Sequence, residues 1–183
     1  MDKFFISIDD SVLVIVDIQE RLAVVMSERE KVIRNTLHLI ETAKLLRLPV
    51  IVTEQYPKGL GPTVNEIREA LPSYEPIEKL TFSCCSEPGF IKALESTGKK
   101  KIILCGMETH VCVLQTCIGS LREGYAVHAV SDAVCSRSKE NYKTGIEFMR
   151  DAGAVITGTE TVLFQLLEKA GTEEFKTLTK RIK

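Results

Sequence analysis

Short apolar runs alternate along the chain with stretches whose apolar residues recur at helical spacing. "LVIVDI" (Leu13 to Ile18) is β-branched and almost continuous, the pattern of a strand buried on both faces. "SERE" (Ser27 to Glu30) reads as a capping box that opens a helix running to about Leu46. "PVIVTE" (Pro49 to Glu54) is the next strand, and "TVNE" (Thr63 to Glu66) is a second capping box before a short helix. "PIEK" (Pro76 to Lys79) fits a short strand. In "SEPGFIKALEST" Ser86 is the expected N-cap, with Pro88 in the first turn. "KKIILCG" is a strand ending at Gly106, and "VCVLQTCIGSLREGY" a helix stopped near Gly124. "YAVHAVSDA" begins with a strand, Ser138 to Ala152 is a helix closed by Gly153, and "AVIT" is the last strand. "TETVLFQLLEKAG" is a further helix, apolar enough to cover either this core or a partner subunit, and a basic tail follows.

Strand and helix in alternation predict an α/β protein with three layers, a mostly parallel sheet between two layers of helices. No repeat, linker or composition break divides residues 1–183, so one domain is expected. In open parallel sheets ligands bind beyond the carboxyl ends of the strands. The polar residues at those ends are Asp17, then Thr53, Glu54 and Gln55, then Lys79, then Gly106 to Cys112.

The formal net charge is −1, so the basic footprint of a nucleic-acid binder is absent. No apolar run is long enough to span a bilayer, and "MDKFFISIDDSV" has acidic residues where a signal peptide would carry its apolar core. A chain of 183 residues needs no disulfide staples, and adjacent Cys84 and Cys85 bridge only with strain. Six reduced thiols and a cytoplasmic protein are expected.

Cys112 is the residue that demands an explanation. With Thr109 as N-cap it would be the third residue of a helix, where unpaired N–H groups and the helix dipole favour thiolate. A nearby Lys79 would push the same way, and Asp17 could take the thiol proton. Asp17 interrupts an apolar strand, where pairing with Lys79 would relieve the cost of a buried charge. The plainer alternatives are a packed thiol, a strand-end Asp and a solvated Lys.

"VIVDIQERL", "EKLTFS", "GMETHVCV" and "SDAVCSR" together resemble the isochorismatase-like, or cysteine-hydrolase, superfamily, in the right order over nearly the whole chain. "VTEQYPKGLG" is similar to its subgroup of isochorismatase-domain-containing proteins. The resemblance implies a six-stranded Rossmann-like sheet in the order 3-2-1-4-5-6 and an Asp17–Lys79–Cys112 triad. It also implies a cis peptide between Met107 and Glu108, and an oxyanion hole formed by the Glu108 and Cys112 backbone N–H groups. Homo-oligomers, dimers or larger, are implied as well. Nicotinamidase-like relatives carry an Asp-x-His element and a further His for a metal; "TEQYPKGLG" stands there instead, and His38, His110 and His128 do not supply it. His110 and Cys112, two apart on a helix, do not face the same way. No catalytic metal and no cofactor is expected.

Relatives that cleave the vinyl ether of isochorismate do not need the cysteine, so Cys112 favours hydrolysis of an amide-type C–N or related acyl bond in a small molecule, through a thioacyl intermediate. Gln55, Tyr56, Phe82 and Glu108 are candidate pocket residues; Glu108 would bind a cationic substrate group or support the helix start. Asp132 is expected in a turn. The competing readings are a non-catalytic or regulatory scaffold that keeps the fold, and a redox protein pairing Cys112 with Cys117 or Cys84.

Overall fold

The computed structural model describes residues 2–182. Six strands form one sheet, all parallel, in the order β3-β2-β1-β4-β5-β6. They are β1 (Ser11–Val16), β2 (Val50–Gln55), β3 (Ile77–Lys79), β4 (Lys101–Met107), β5 (Ala126–Cys135) and β6 (Val155–Thr157). The helices are α1 (Glu20–Ala23), α2 (Arg29–Leu46), α3 (Pro57–Leu60), α4 (Asn65–Ala70), α5 (Pro88–Ser96), α6 (Leu114–Arg122), α7 (Lys139–Asp151), α8 (Thr159–Leu167) and α9 (Glu173–Arg181).

The continuous apolar run of β1 has a direct cause. Leu13 and Ile15 join the core on the face covered by α2, α8 and α9, while Val12, Val14 and Val16 join the core under α5, α6 and α7. Every residue of β1 is buried. A parallel sheet covered on both faces leaves no solvent side for a polar alternation.

Several local expectations fail, each for a stated reason. Neither capping box forms. Glu28, not Ser27, precedes α2, without a side-chain cap. Thr63 turns away from α4, and both its N–H and its hydroxyl donate to Oε1 of buried Glu54. The N-cap of α5 is Glu87, whose carboxylate accepts from the Gly89 N–H; Ser86 lies outside. β4 runs past Gly106 to Met107. Asp132 is not in a turn: it lies in β5, in the stretch where the register against β4 shifts, and its Oδ1 accepts from the N–H and hydroxyl of Thr159 at 2.8 Å each. It thereby caps α8, whose own N-cap is Gly158 and has no side chain to offer. The apolar face of α8 (Val162, Leu163, Leu166, Leu167) is buried in this chain's own core. The basic tail is helix α9, capped by Thr172 and packed through Leu178.

The register sets the site. Val16 lies opposite Thr53 of β2 and Gly106 of β4, and Gln55 opposite Lys79 of β3, so the carboxyl ends of four strands share one edge. Gly106 allows the closest approach in that edge: its φ is 132°, and a Cβ there would lie 2.0 Å from the Val16 carbonyl oxygen. We expect Gly106→Ala to destabilise the fold by on the order of 3 kcal/mol or more, measured by urea unfolding. A midpoint close to that of the unmodified protein would show that β1 and β4 are not so tightly apposed.

Candidate active site

Asp17 follows β1 in left-handed backbone, φ 52°, a conformation that Asp tolerates better than most residues. That turn bends the chain out of the strand and aims the carboxylate across the sheet edge. Both Asp17 and Lys79 side chains are fully buried, and Lys79 Nζ donates to Asp17 Oδ2 at 2.7 Å. Thr53 donates its hydroxyl to the other oxygen, Oδ1, at 2.7 Å. Lys79 Nζ also donates to Gln55 Oε1 at 2.7 Å and to the carbonyls of Thr81 and Phe82 at 3.3 Å each. Burial alone would push the ammonium down. The charge of Asp17 and its hydrogen bond more than offset this and hold Lys79 above its ordinary pKa.

Gln55 is the hub between the pair and the thiol. Its N–H donates to Gln19 Oε1 and its Nε2 to the Leu80 carbonyl, which leaves Oε1 facing Lys79 and, at 3.9 Å, the Cys112 sulfur. Gln19 returns the contact by donating to the carbonyls of Gln55 and Gly61. Sequence reasoning placed Thr53 at this edge without giving it a role, and missed Gln19. The available signal was Gln19's place in "DIQE", two residues past a buried Asp.

Cys112 sits on a π-helical turn, Thr109–Val113, which leads into α6. The cap residue is Glu108, not Thr109, and the Glu108 carbonyl accepts from the N–H groups of both Val111 and Val113. Thr109 Oγ1 is buried without a partner instead of capping. The Met107–Glu108 peptide is cis. Helix α7 braces this turn through Gly145, where a Cβ would come within 3.0 Å of the Thr109 carbonyl group.

The thiol is tuned in the direction opposite to the sequence expectation. Burial, then the negative charge of Asp17, push the Cys112 thiol well above the ordinary range, and Lys79 pulls it down only in part. The helix-start argument fails because desolvation and a neighbouring carboxylate outweigh a local dipole. Cys84, fully buried, also belongs to this cluster: its thiol donates to Thr53 Oγ1 at 3.7 Å, and burial pushes it up to about 12. Cys117 is buried, and that burial pushes its thiol up to about 12.

Glu108 is not free to take a cation from a substrate. Its Oε2 accepts from the backbone N–H and the Nε of Arg137, at 3.0 and 3.2 Å. His110 Nδ1 meets Ser136 Oγ at 2.9 Å, His128 meets the Lys3 carbonyl, and His38 lies in α2. Among the described residues no three His, Cys, Asp or Glu side chains are grouped to hold a metal. Tyr56 and Phe82 stand half-exposed beside the cluster. No helix of the described residues is long and apolar enough to cross a membrane.

Comparison with known proteins places the chain as a whole. The chain is 43% identical over 178 residues to the secreted isochorismatase effector Isc1 of Phytophthora sojae, spanning 94% of this chain and 84% of that protein. Among solved structures, the MAR1 ribonuclease of Caenorhabditis elegans superposes with a TM-score of 0.91 at 38% identity, over 97% of this chain and 92% of that one. The YcaC gene product of Escherichia coli, described as an octameric hydrolase of unknown specificity, superposes with a TM-score of 0.91 at 27% identity, over 97% and 90% of the two chains. The isochorismatase domain model matches residues 11–161, from the first residue of β1 into α8. The chain therefore belongs to the isochorismatase family.

Proposed function

We propose that this protein is a cysteine-dependent hydrolase of a small-molecule amide-type C–N or related acyl bond, with Cys112 as nucleophile, Asp17 as proton carrier and Lys79 as the group that orients Asp17. The observation that carries this reading is a carboxylate held by a buried lysine beside a neutral thiol. A thiol that is protonated at rest needs a base at the moment of attack, and Asp17 is in place to be one.

As the Cys112 sulfur adds to the substrate carbonyl, the thiol proton passes to Asp17. The oxyanion is taken by the Glu108 and Cys112 backbone N–H groups. Collapse expels the amine, which receives the proton from Asp17 and leaves a thioester on Cys112. Asp17 then deprotonates a water, which attacks the thioester; the acid departs and the proton returns to the sulfur. Lys79 does not exchange protons in this scheme. Its contacts with Asp17 and Gln55 fix the carboxylate, and its raised pKa keeps it charged through the cycle.

The worm neighbour carries the name of a ribonuclease. For this chain we favour a small molecule, because net charge is −1 and the site lysine is already spent on Asp17. The octameric bacterial neighbour supports a homo-oligomer, and six unpaired cysteines support a reducing compartment such as the cytoplasm.

Screened against small amides and activated esters, Cys112→Ala is expected to lose turnover by about 10³-fold or more while its thermal midpoint stays within a few degrees of wild type. Mass spectrometry of quenched wild-type reactions is expected to find the acyl group on the peptide bearing Cys112. Turnover of a confirmed substrate by the alanine variant at the wild-type rate would sink the mechanism. A second prediction follows from the raised thiol pKa. Alkylation of Cys112 is expected to keep climbing with pH beyond about 9, where an ordinary thiol levels off. Lys79→Met removes the charge that pulls the thiol down, so it should slow labelling further at every pH below that. A Cys112 rate that plateaus near neutrality would contradict the protonated resting state.

A further inference from the structure

The mouth of the site has an unusual construction. Leu80, Thr81 and Phe82 turn their backbone carbonyls inward, to Gln55 Nε2 at 2.8 Å and to Lys79 Nζ at 3.3 Å twice. Their side chains are left outside: Leu80 is 75% exposed and Phe82 54%. Tyr56, which lines a hollow with Leu80, is 51% exposed and its N–H donates to the Lys79 carbonyl. Three large apolar groups are therefore held in solvent by the same groups that hold the reacting centre.

The charges nearest the reacting centre are paired. Lys79 has four acceptors, and the Arg137 charge faces the Glu108 carboxylate. Lys58 shares the hollow next to Leu80 and Tyr56 with two acids, Glu78 and Glu87. An anionic substituent entering here would leave water for a hollow lined by two carboxylates and one ammonium, a net negative surrounding. An apolar one would cover exposed Leu, Phe and Tyr surface.

We infer that the substrate's acyl group carries an uncharged, apolar or aromatic substituent that docks against Tyr56, Leu80 and Phe82. This rests on the hydrolase reading above and narrows it to one substrate class.

Three alkylating reagents with one reactive group test it: iodoacetate, iodoacetamide and N-phenyl iodoacetamide. The rate at Cys112 at pH 8 is read by peptide mass in the full chain and divided by the rate with N-acetylcysteine amide. We expect N-phenyl iodoacetamide to lead and iodoacetate to trail, with about tenfold or more between them. In the double variant Leu80→Ser, Phe82→Ser the phenyl advantage should fall to about twofold or less. Iodoacetate matching or beating the phenyl reagent overturns the inference, as does an advantage that survives the double variant. Sedimentation of the double variant covers the other occupant of this surface: dissociation of an oligomer with the phenyl preference intact assigns the patch to contacts between copies of the chain. Labelling of Cys112 by all three without order sinks this inference alone. A Cys112 that none of them labels even when the pH is raised to about 10, where part of a raised thiol is ionised, sinks the hydrolase reading with it.

Discussion

The buried ion pair between Asp17 and Lys79 organises everything around it. Two charges taken fully out of water cost several kcal/mol each, and their attraction offsets this only with good geometry and further hydrogen bonds. The structure supplies both. Thr53 takes the second carboxylate oxygen, and Gln55 with two loop carbonyls takes the remaining capacity of the ammonium. Those partners come from β2 and from the loop after β3, so the register of three strands is fixed by one polar contact as well as by apolar packing. Left-handed backbone at Asp17 and the side-chain-free approach at Gly106 are local concessions to the same end.

The pair also sets the state of the nucleophile. A thiol beside an isolated lysine would be drawn toward thiolate. Beside a lysine already neutralised by a carboxylate, and out of water, it stays protonated. The site therefore rests with its charges balanced internally, and reactive character arises only when a carbonyl arrives to accept the sulfur. Neutral Cys84, joined to Asp17 through Thr53, extends this uncharged surrounding on the side of β2.

The architecture was legible in the sequence because burial on both faces leaves a plain mark. "LVIVDI" and "KKIILCG" are apolar at successive positions, and parallel order follows from helices between the strands. Asp17, Lys79 and Cys112 were legible as polar residues at strand ends, and family resemblance grouped them. What failed was local reasoning about non-local choices. Ser27 and Thr63 have the sequence context of caps, but a buried carboxylate nine residues away is not visible in a four-residue motif; Glu54 claims Thr63 instead. Asp132 serves a helix that begins at Thr159. The thiol was misjudged because its helix position can be read from spacing whereas its desolvation cannot. Helix α9 did carry a signal, Phe175, Leu178 and Ile182 at helical spacing behind Thr172, which the basic residues masked.

β3 is three residues long, lies at the border of the sheet and ends in Lys79. Strands of that kind are the first to open in native-state fluctuations, since few bonds hold them. Here opening would draw an ammonium away from a carboxylate that has no water to turn to, which raises the free energy of the open form. The ion pair thus acts as a latch on a short border strand, and the fraction of molecules with a complete site equals the fraction with that border closed.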